Sequence, residues 1–150
     1  MKKIILSIIL GNIIVSCNND REPSPSQPVN LKGTFKLSHY EFKSKNYNIT
    51  GCDINDKIVI NSDKTGVYED SEYNDATQGC YVAENYAGTW NLQSQEGLLI
   101  LKYKSNGLDQ TKSFDLIGIS DTEIRLEISS KNIDGNPGND NAVAVWIKTY

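Results

Sequence analysis

Several groups of side chains have types and spacings that could do chemistry. His39 is the only histidine. As a general base it needs a nucleophile beside it, and no serine or cysteine nucleophile motif accompanies it, so a strand-edge or capping role is expected. Glu69, Asp70, Glu72 and Asp75 crowd one stretch. Paired carboxylates cleave glycosidic bonds only where a cleft pushes their pKa values apart, and a solvated acidic loop is the plainer expectation. Asp134, Asn136, Asn139 and Asp140 offer oxygens to calcium, beginning Asp-x-Asn. Pro137 interrupts the run just before the third ligand position and Val145 stands where a bidentate glutamate belongs, so a hairpin loop is expected and no metal. Tyr40, Tyr86, Trp90, Tyr103 and Trp146 could line a pocket or stack on sugar rings, or they could fill the interior of a small barrel. No catalytic residue and no cofactor follow from these groups, and the chain is not expected to be an enzyme.

The start of the chain carries a different chemistry. Lys2 and Lys3 precede Ile4 to Val15, a run that is apolar except for Ser7 and Asn12. Such a run is a secretory h-region, too short for a permanent transmembrane helix. Val15-Ser16-Cys17 at its end resembles the lipobox of bacterial lipoprotein signal peptides. That resemblance implies that residues 1–16 are removed and that Cys17 becomes the lipidated first residue, anchoring the protein in the cell envelope. The outer membrane is the expected site, on its periplasmic or surface-facing side, and the membrane is a partner through the lipid. With Cys17 committed to lipid, Cys52 and Cys80 remain as one candidate disulfide in an oxidising compartment. Two free buried thiols are the alternative; a zinc site is disfavoured because the spacing fits no zinc pattern.

Removing sixteen residues leaves 134, enough for one domain with a real core. The whole chain carries −4; without Lys2 and Lys3 its 15 basic residues become 13 against 19 acidic ones, or −6. No basic cluster exists for a nucleic-acid backbone, so nucleic acid is not an expected partner. Residues 17–30 hold Pro23, Pro25 and Pro28 among polar residues and read as a tether. Its thirteen residues after Cys17 reach at most roughly 40 Å.

From Leu31 the pattern is that of strands. Phe35 and Leu37 share one parity while Tyr40 and Phe42 take the other, which predicts a bulge near Ser38-His39. Residues 46–56 and 70–78 read as polar loops. Lys57 to Asn61 and Gly66 to Glu69 form a predicted hairpin, and residues 80–84, 86–93 and 98–104 follow as strands. Asn106-Gly107 is a strong hairpin signal. Residues 111–119 and 122–129 are separated by Ser120-Asp121, and Ile124, Leu126 and Ile128 alternate cleanly with charged residues. Val143, Val145 and Ile147 share a face in the last strand. No helical period extends beyond a turn. About eight strands joined by short turns predict an all-β antiparallel meander closed into a barrel, which removes exposed edges; a two-sheet β-sandwich is the alternative.

Gly33-Thr34-Phe35 opens the first strand, and Gly88-Thr89-Trp90 repeats it 55 residues later. Together with the order of cysteine, Asp-Lys-Ile-Val-Ile hairpin, cysteine and Leu-Leu-Ile-Leu, this resembles the small lipocalin-like lipoproteins of Bacteroidetes-type bacteria over most of residues 31–150. Phe35 stands where that family usually has tryptophan. The resemblance implies a lipocalin-like barrel whose mouth takes a small apolar ligand or a glycan. The inward parity then assigns Phe35, Leu37, Tyr86, Trp90 and Leu92 as ligand-binding residues, with Gly88 leaving room beside Trp90. The competing expectation is a structural or interaction lipoprotein with a filled barrel and no small ligand.

Overall fold

Alternation and turn chemistry divide the folded part of the chain into nine strands: β1 (Gly33–Phe42), β2 (Lys45–Asn48), β3 (Lys57–Ile60), β4 (Thr65–Asn74), β5 (Gly79–Gln93), β6 (Leu98–Ser105), β7 (Leu108–Ile119), β8 (Glu123–Ile128) and β9 (Ala142–Thr149). The computed structural model describes residues 29–129, 131–136, 138 and 140–150. The expected signal peptide, Cys17 and most of the tether lie outside the described residues.

All pairings are antiparallel, in the order β1-β3-β4-β5-β6-β7-β8-β9, and β9 returns to β1. This is a closed eight-stranded meander of lipocalin-like form, with β2 as an extra strand on the edge of β1. The predicted bulge is present: the β1–β9 register slips between Leu37 and His39. Its consequence is a change of parity, so that Phe35 and Leu37 face inward below it and Tyr40 is buried above it. At the next turn Asn106 and Gly107 both have positive φ, 51° and 79°, as a two-residue hairpin of the favoured hand requires.

Two expected loops are ordered differently. Within 46–56 the chain forms β2, followed by a short 3₁₀ turn at Gly51–Asn55. The reason is geometric: β3 covers only Gly33–Lys36 of β1, which leaves the edge from His39 to Phe42 for β2. Within 70–78 only the tip turns, because β4 runs on to Asn74 and β5 starts at Gly79. The polar composition of residues 70–78 hid the end of β4, where Glu72 and Tyr73 are exposed. The two segments expected at 80–84 and 86–93 are one fifteen-residue strand, with one extra residue between Val82 and Glu84 opposite Asp70 and Ser71.

The barrel centre is filled. Phe35, Ile58, Leu99, Leu101, Ile124 and Leu126 are almost completely inaccessible. Phe114 packs against Tyr68 and Trp90, with ring centroids 5.1 and 5.9 Å away. The indole of Trp90 donates from Nε1 to the Val59 carbonyl at 2.9 Å. Gly66 makes room for it: a Cβ there would fall 1.8 Å from the Val59 oxygen and 2.8 Å from Trp90 Nε1. In β9 the face shared by Val143, Val145 and Ile147 is the outer one, and Ala144 and Trp146 point to the core. Val145 is nonetheless fully buried. It lies in register between Arg125 and His39, and the Arg125 guanidinium spans β9 there to pair with both carboxylate oxygens of Glu41.

The chain reaches β1 at the lower end of the barrel, where the Asn30 N–H donates to Asp121 at 2.7 Å and Leu31 packs against the core. At the upper end, Cys52 in the 3₁₀ turn is disulfide-bonded to Cys80 at the start of β5. Bridging residues 28 apart in sequence removes unfolded-state freedom worth about 3–4 kcal/mol. Replacing both cysteines by alanine is expected to lower the unfolding free energy by about that amount in a urea titration, with the barrel core still folded.

Candidate ligand-binding mouth

Above the filled centre the interior turns polar. The β1 bulge directs Tyr40 inward, and its hydroxyl donates to Asp53 at 2.7 Å. The disulfide fixes the turn that carries Asp53, and that turn ends at Asp56. Asp56 is 2% exposed and accepts the Ser71 N–H at 2.7 Å. Asp70, one residue back along β4, borders the same cavity as Asp56. Tyr40, Asp56 and Asp70 border a cavity of about 580 Å³ with Leu37, Tyr68, Glu72, Glu84, Lys112, Lys131 and Trp146.

Both lysines at this cavity are already engaged. Lys112 pairs with Glu84 and sits over the rings of Tyr68, Tyr86 and Phe114, 4.9, 5.5 and 5.8 Å from their centroids. Lys131 pairs with Asp53 at 2.8 Å and lies over Tyr40. Asp56 and Asp70 have no lysine or arginine salt bridge among the described residues. Burial pushes Asp56 up to about 7 despite the opposing Ser71 N–H, with Asp70 nearby adding to the rise. Burial likewise raises Asp70, against the pull of Lys131. Tyr40 and Tyr68 are held far above the usual phenol range, chiefly by burial. The Nε1–H of Trp146 is the one buried side-chain polar atom without a partner among the described residues.

The five residues expected to bind ligand are not brought to one place. Leu37 borders the upper cavity. Phe35 lies at the centre with no accessible surface. Trp90 and Leu92 border a second cavity of about 450 Å³ at the lower end, beneath residues 29–32. Tyr86 stacks on Tyr103, centroids 4.3 Å apart, on the wall beside Lys112. Of the acidic stretch read as a solvated loop, Asp70 and Glu72 border the upper cavity, which corrects that expectation; Glu69 pairs with Lys57 at 2.8 Å. Asp56 gave no sequence signal, sitting in a polar run between Asn55 and Lys57. His39 stands on the outer side, Nδ1 3.2 Å from the Ser38 hydroxyl and Nε2 3.6 Å from Glu41. In the loop after β8, Asp140 accepts the N–H groups of Ile133 and Asp134, and Asp134 accepts that of Asn136; Pro137 and Asn139 lie outside the described residues. No group of three His, Cys, Asp or Glu side chains arranged to hold a metal ion occurs among the described residues.

Comparison with protein-family models, curated proteins and solved structures finds no match for this chain.

Asp56 rises from an ordinary 3.8 to about 7 in the folded state. Across that window the folded protein holds a proton that the unfolded chain releases, so this carboxyl's contribution to stability falls as pH rises from about 4 to about 7. Asp70 acts with the same sign. Glu41, Asp63 and Asp134 are held low by their hydrogen-bond partners, and their contributions are lost in the opposite direction, as the pH falls below their ordinary 4.5, 3.8 and 3.8. Lys112, Lys131, Glu72, Glu84, Asp53 and the two tyrosines are the other ionisable groups around the pair. Asp56→Asn keeps an oxygen for the Ser71 N–H and removes the titration. Thermal unfolding from pH 4 to 8 should show a weaker decline for the variant, which is more stable than wild type at pH 8.

Proposed function

We propose that the protein is a lipid-anchored, lipocalin-like lipoprotein of the cell envelope that binds a small polar ligand in the upper mouth of its barrel. Its anchor is Cys17, and the outer membrane, on the periplasmic or surface-facing side, is its location. The observation that carries the ligand reading is the 580 Å³ cavity above the packed centre, a size typical of small-molecule sites. Between an apolar ligand and a glycan, the lining favours a hydroxyl-rich molecule. Carboxylates and ammonium groups can exchange hydrogen bonds with hydroxyls while Tyr40, Tyr68 and Trp146 offer ring faces. An apolar ligand would strip water from those charges without replacing its hydrogen bonds.

A structural role without a ligand is the second reading. It is supported by the centre, where Phe35 and Trp90 are packed and Trp90 spends its N–H on Val59.

Two experiments test these statements. Metabolic labelling with a fatty acid should mark the native protein and leave Cys17→Ala unlabelled; equal labelling of both removes the anchor. The ligand reading predicts that the Trp146 indole N–H resonance, identified by its loss in Trp146→Phe, shifts saturably with at least one compound among small sugars, amino sugars and phenols. A flat response to all of them at millimolar concentration selects the structural reading.

A further inference from the structure

The barrel wall is not paired throughout. β6 meets β5 only from Gly88 to Gln93, so from Gly79 to Ala87 β5 has β4 along one edge and no strand along the other. Main-chain groups alternate between the two edges of a strand. Trp90 sends its N–H to the β4 side, toward the Lys64 carbonyl, so Asn85 turns to the free edge. Ser71 sends its N–H away from β5, to Asp56, so Val82 opposite it also turns to the free edge, and Cys80 follows. Proteins blunt such an edge with lysine, proline, a bulge or a covering element. Gly79 to Ala87 contains no lysine and no proline, and the bulge at Ala83 is the one such device it has. Tyr81 and Val82 on this edge are 45% and 50% exposed.

The two faces of this edge differ. Cys80 and Val82 stand opposite Tyr73 and Ser71 and share the outer face with the exposed Tyr73 ring. Tyr81 stands opposite Glu72 on the side of the polar mouth, and its hydroxyl donates to the Glu72 carboxylate at 3.0 Å. The charge is one-sided as well. From Thr65 to Gln93 the β4–β5 hairpin carries five acidic residues, Glu69, Asp70, Glu72, Asp75 and Glu84, and no lysine or arginine. Lys57 and Lys112 of other strands pair with Glu69 and Glu84, and Lys104 pairs with Asp109. Asp70, Glu72 and Asp75 have no salt bridge among the described residues. Two copies of the hairpin meeting edge to edge bring like charges together, whereas a basic segment meets opposite ones. We infer that this half of β5 takes up an extended polypeptide segment as an added strand, one in which apolar and basic residues alternate. Main-chain hydrogen bonds to Cys80, Val82 and Asn85 hold it. Its apolar side chains lie on the outer face beside Val82, and its basic ones lie beside Tyr81, toward Glu72. This surface is distinct from the small-ligand cavity, and the inference stands without that reading.

The test titrates full-length protein in a polyoxyethylene detergent with capped heptapeptides of alternating lysine and valine, and with the same peptide carrying glutamate for lysine. Two further versions of the lysine peptide are methylated on the main-chain nitrogens, one on its valines and one on its lysines. The lysine peptide is expected to slow hydrogen exchange at the Cys80, Val82 and Asn85 amides and to bind at least about tenfold more tightly than the glutamate peptide. One methylated version should lose binding and the other keep it, because only alternate nitrogens of an added strand face β5. Val82→Lys should weaken the lysine peptide, whereas Ile117→Lys, the same change at a 52% exposed position on β7, should not. Both methylated versions binding like the parent would show attraction without a ladder and overturn the inference. Equal binding of the lysine and glutamate peptides would overturn the basic partner, and equal effects of the two variants would overturn the site by tracing the preference to overall charge. No binding of the lysine peptide at millimolar concentration, or protection at amides away from β5, would also overturn it. The peptide comparisons need no variant to fold.

Discussion

The whole architecture depends on β1 being hydrogen-bonded along both edges. β9 occupies one edge from Thr34 to Glu41, while β3 and then β2 divide the other. A regular strand could close the barrel, but it would keep one parity throughout and point His39 at the same interior as Phe35 and Leu37. The bulge at Ser38 resolves this. It turns Tyr40 inward above Leu37 and leaves His39 and Glu41 outside, where Glu41 meets Arg125 across Val145. The inner phenol anchors Asp53, so the upper floor of the barrel descends from one irregular residue.

Below that level the interior obeys ordinary packing, with apolar side chains interlocked and the single indole N–H of Trp90 satisfied. Above it, four carboxylates and two lysines share one open-mouthed cavity with aromatic rings. Such a region contributes little to stability, because desolvation offsets most of the attraction between its ions. The fold holds it in place by other means: the closed backbone ladder, the filled centre beneath, and a covalent bond from the 3₁₀ turn to the start of β5. A barrel selected for stability alone would continue the apolar filling upward.

The sequence made the lower part plain and hid the upper part, for one physical reason. Alternation reveals a strand only where one face is apolar, so β8 and the bulge in β1 were readable from Ile124, Leu126, Phe35 and Tyr40. From Asp70 to Gln78 the residues are polar apart from Tyr73 and Ala76, and the stretch imitates a solvated loop. Asp56, Asp70, Lys112 and Lys131 come from distant parts of the chain, and each resembles a surface residue among its own neighbours. Only closure shows that they face a common space. The cysteine pair was accessible through arithmetic, since the lipobox reading commits Cys17 and leaves Cys52 and Cys80 as one pair. Phe35 and Trp90 were read with the correct parity, but parity cannot tell a packed centre from a cavity wall.

The path of the chain also has a directional consequence. Residues 29–32 cross the lower end, and the polar mouth opens at the opposite end, where Asp70, Glu84 and Ile128 lie. A molecule held by anything upstream of residue 29 is therefore held by its closed base. The polar opening then lies the full height of the barrel away from that attachment.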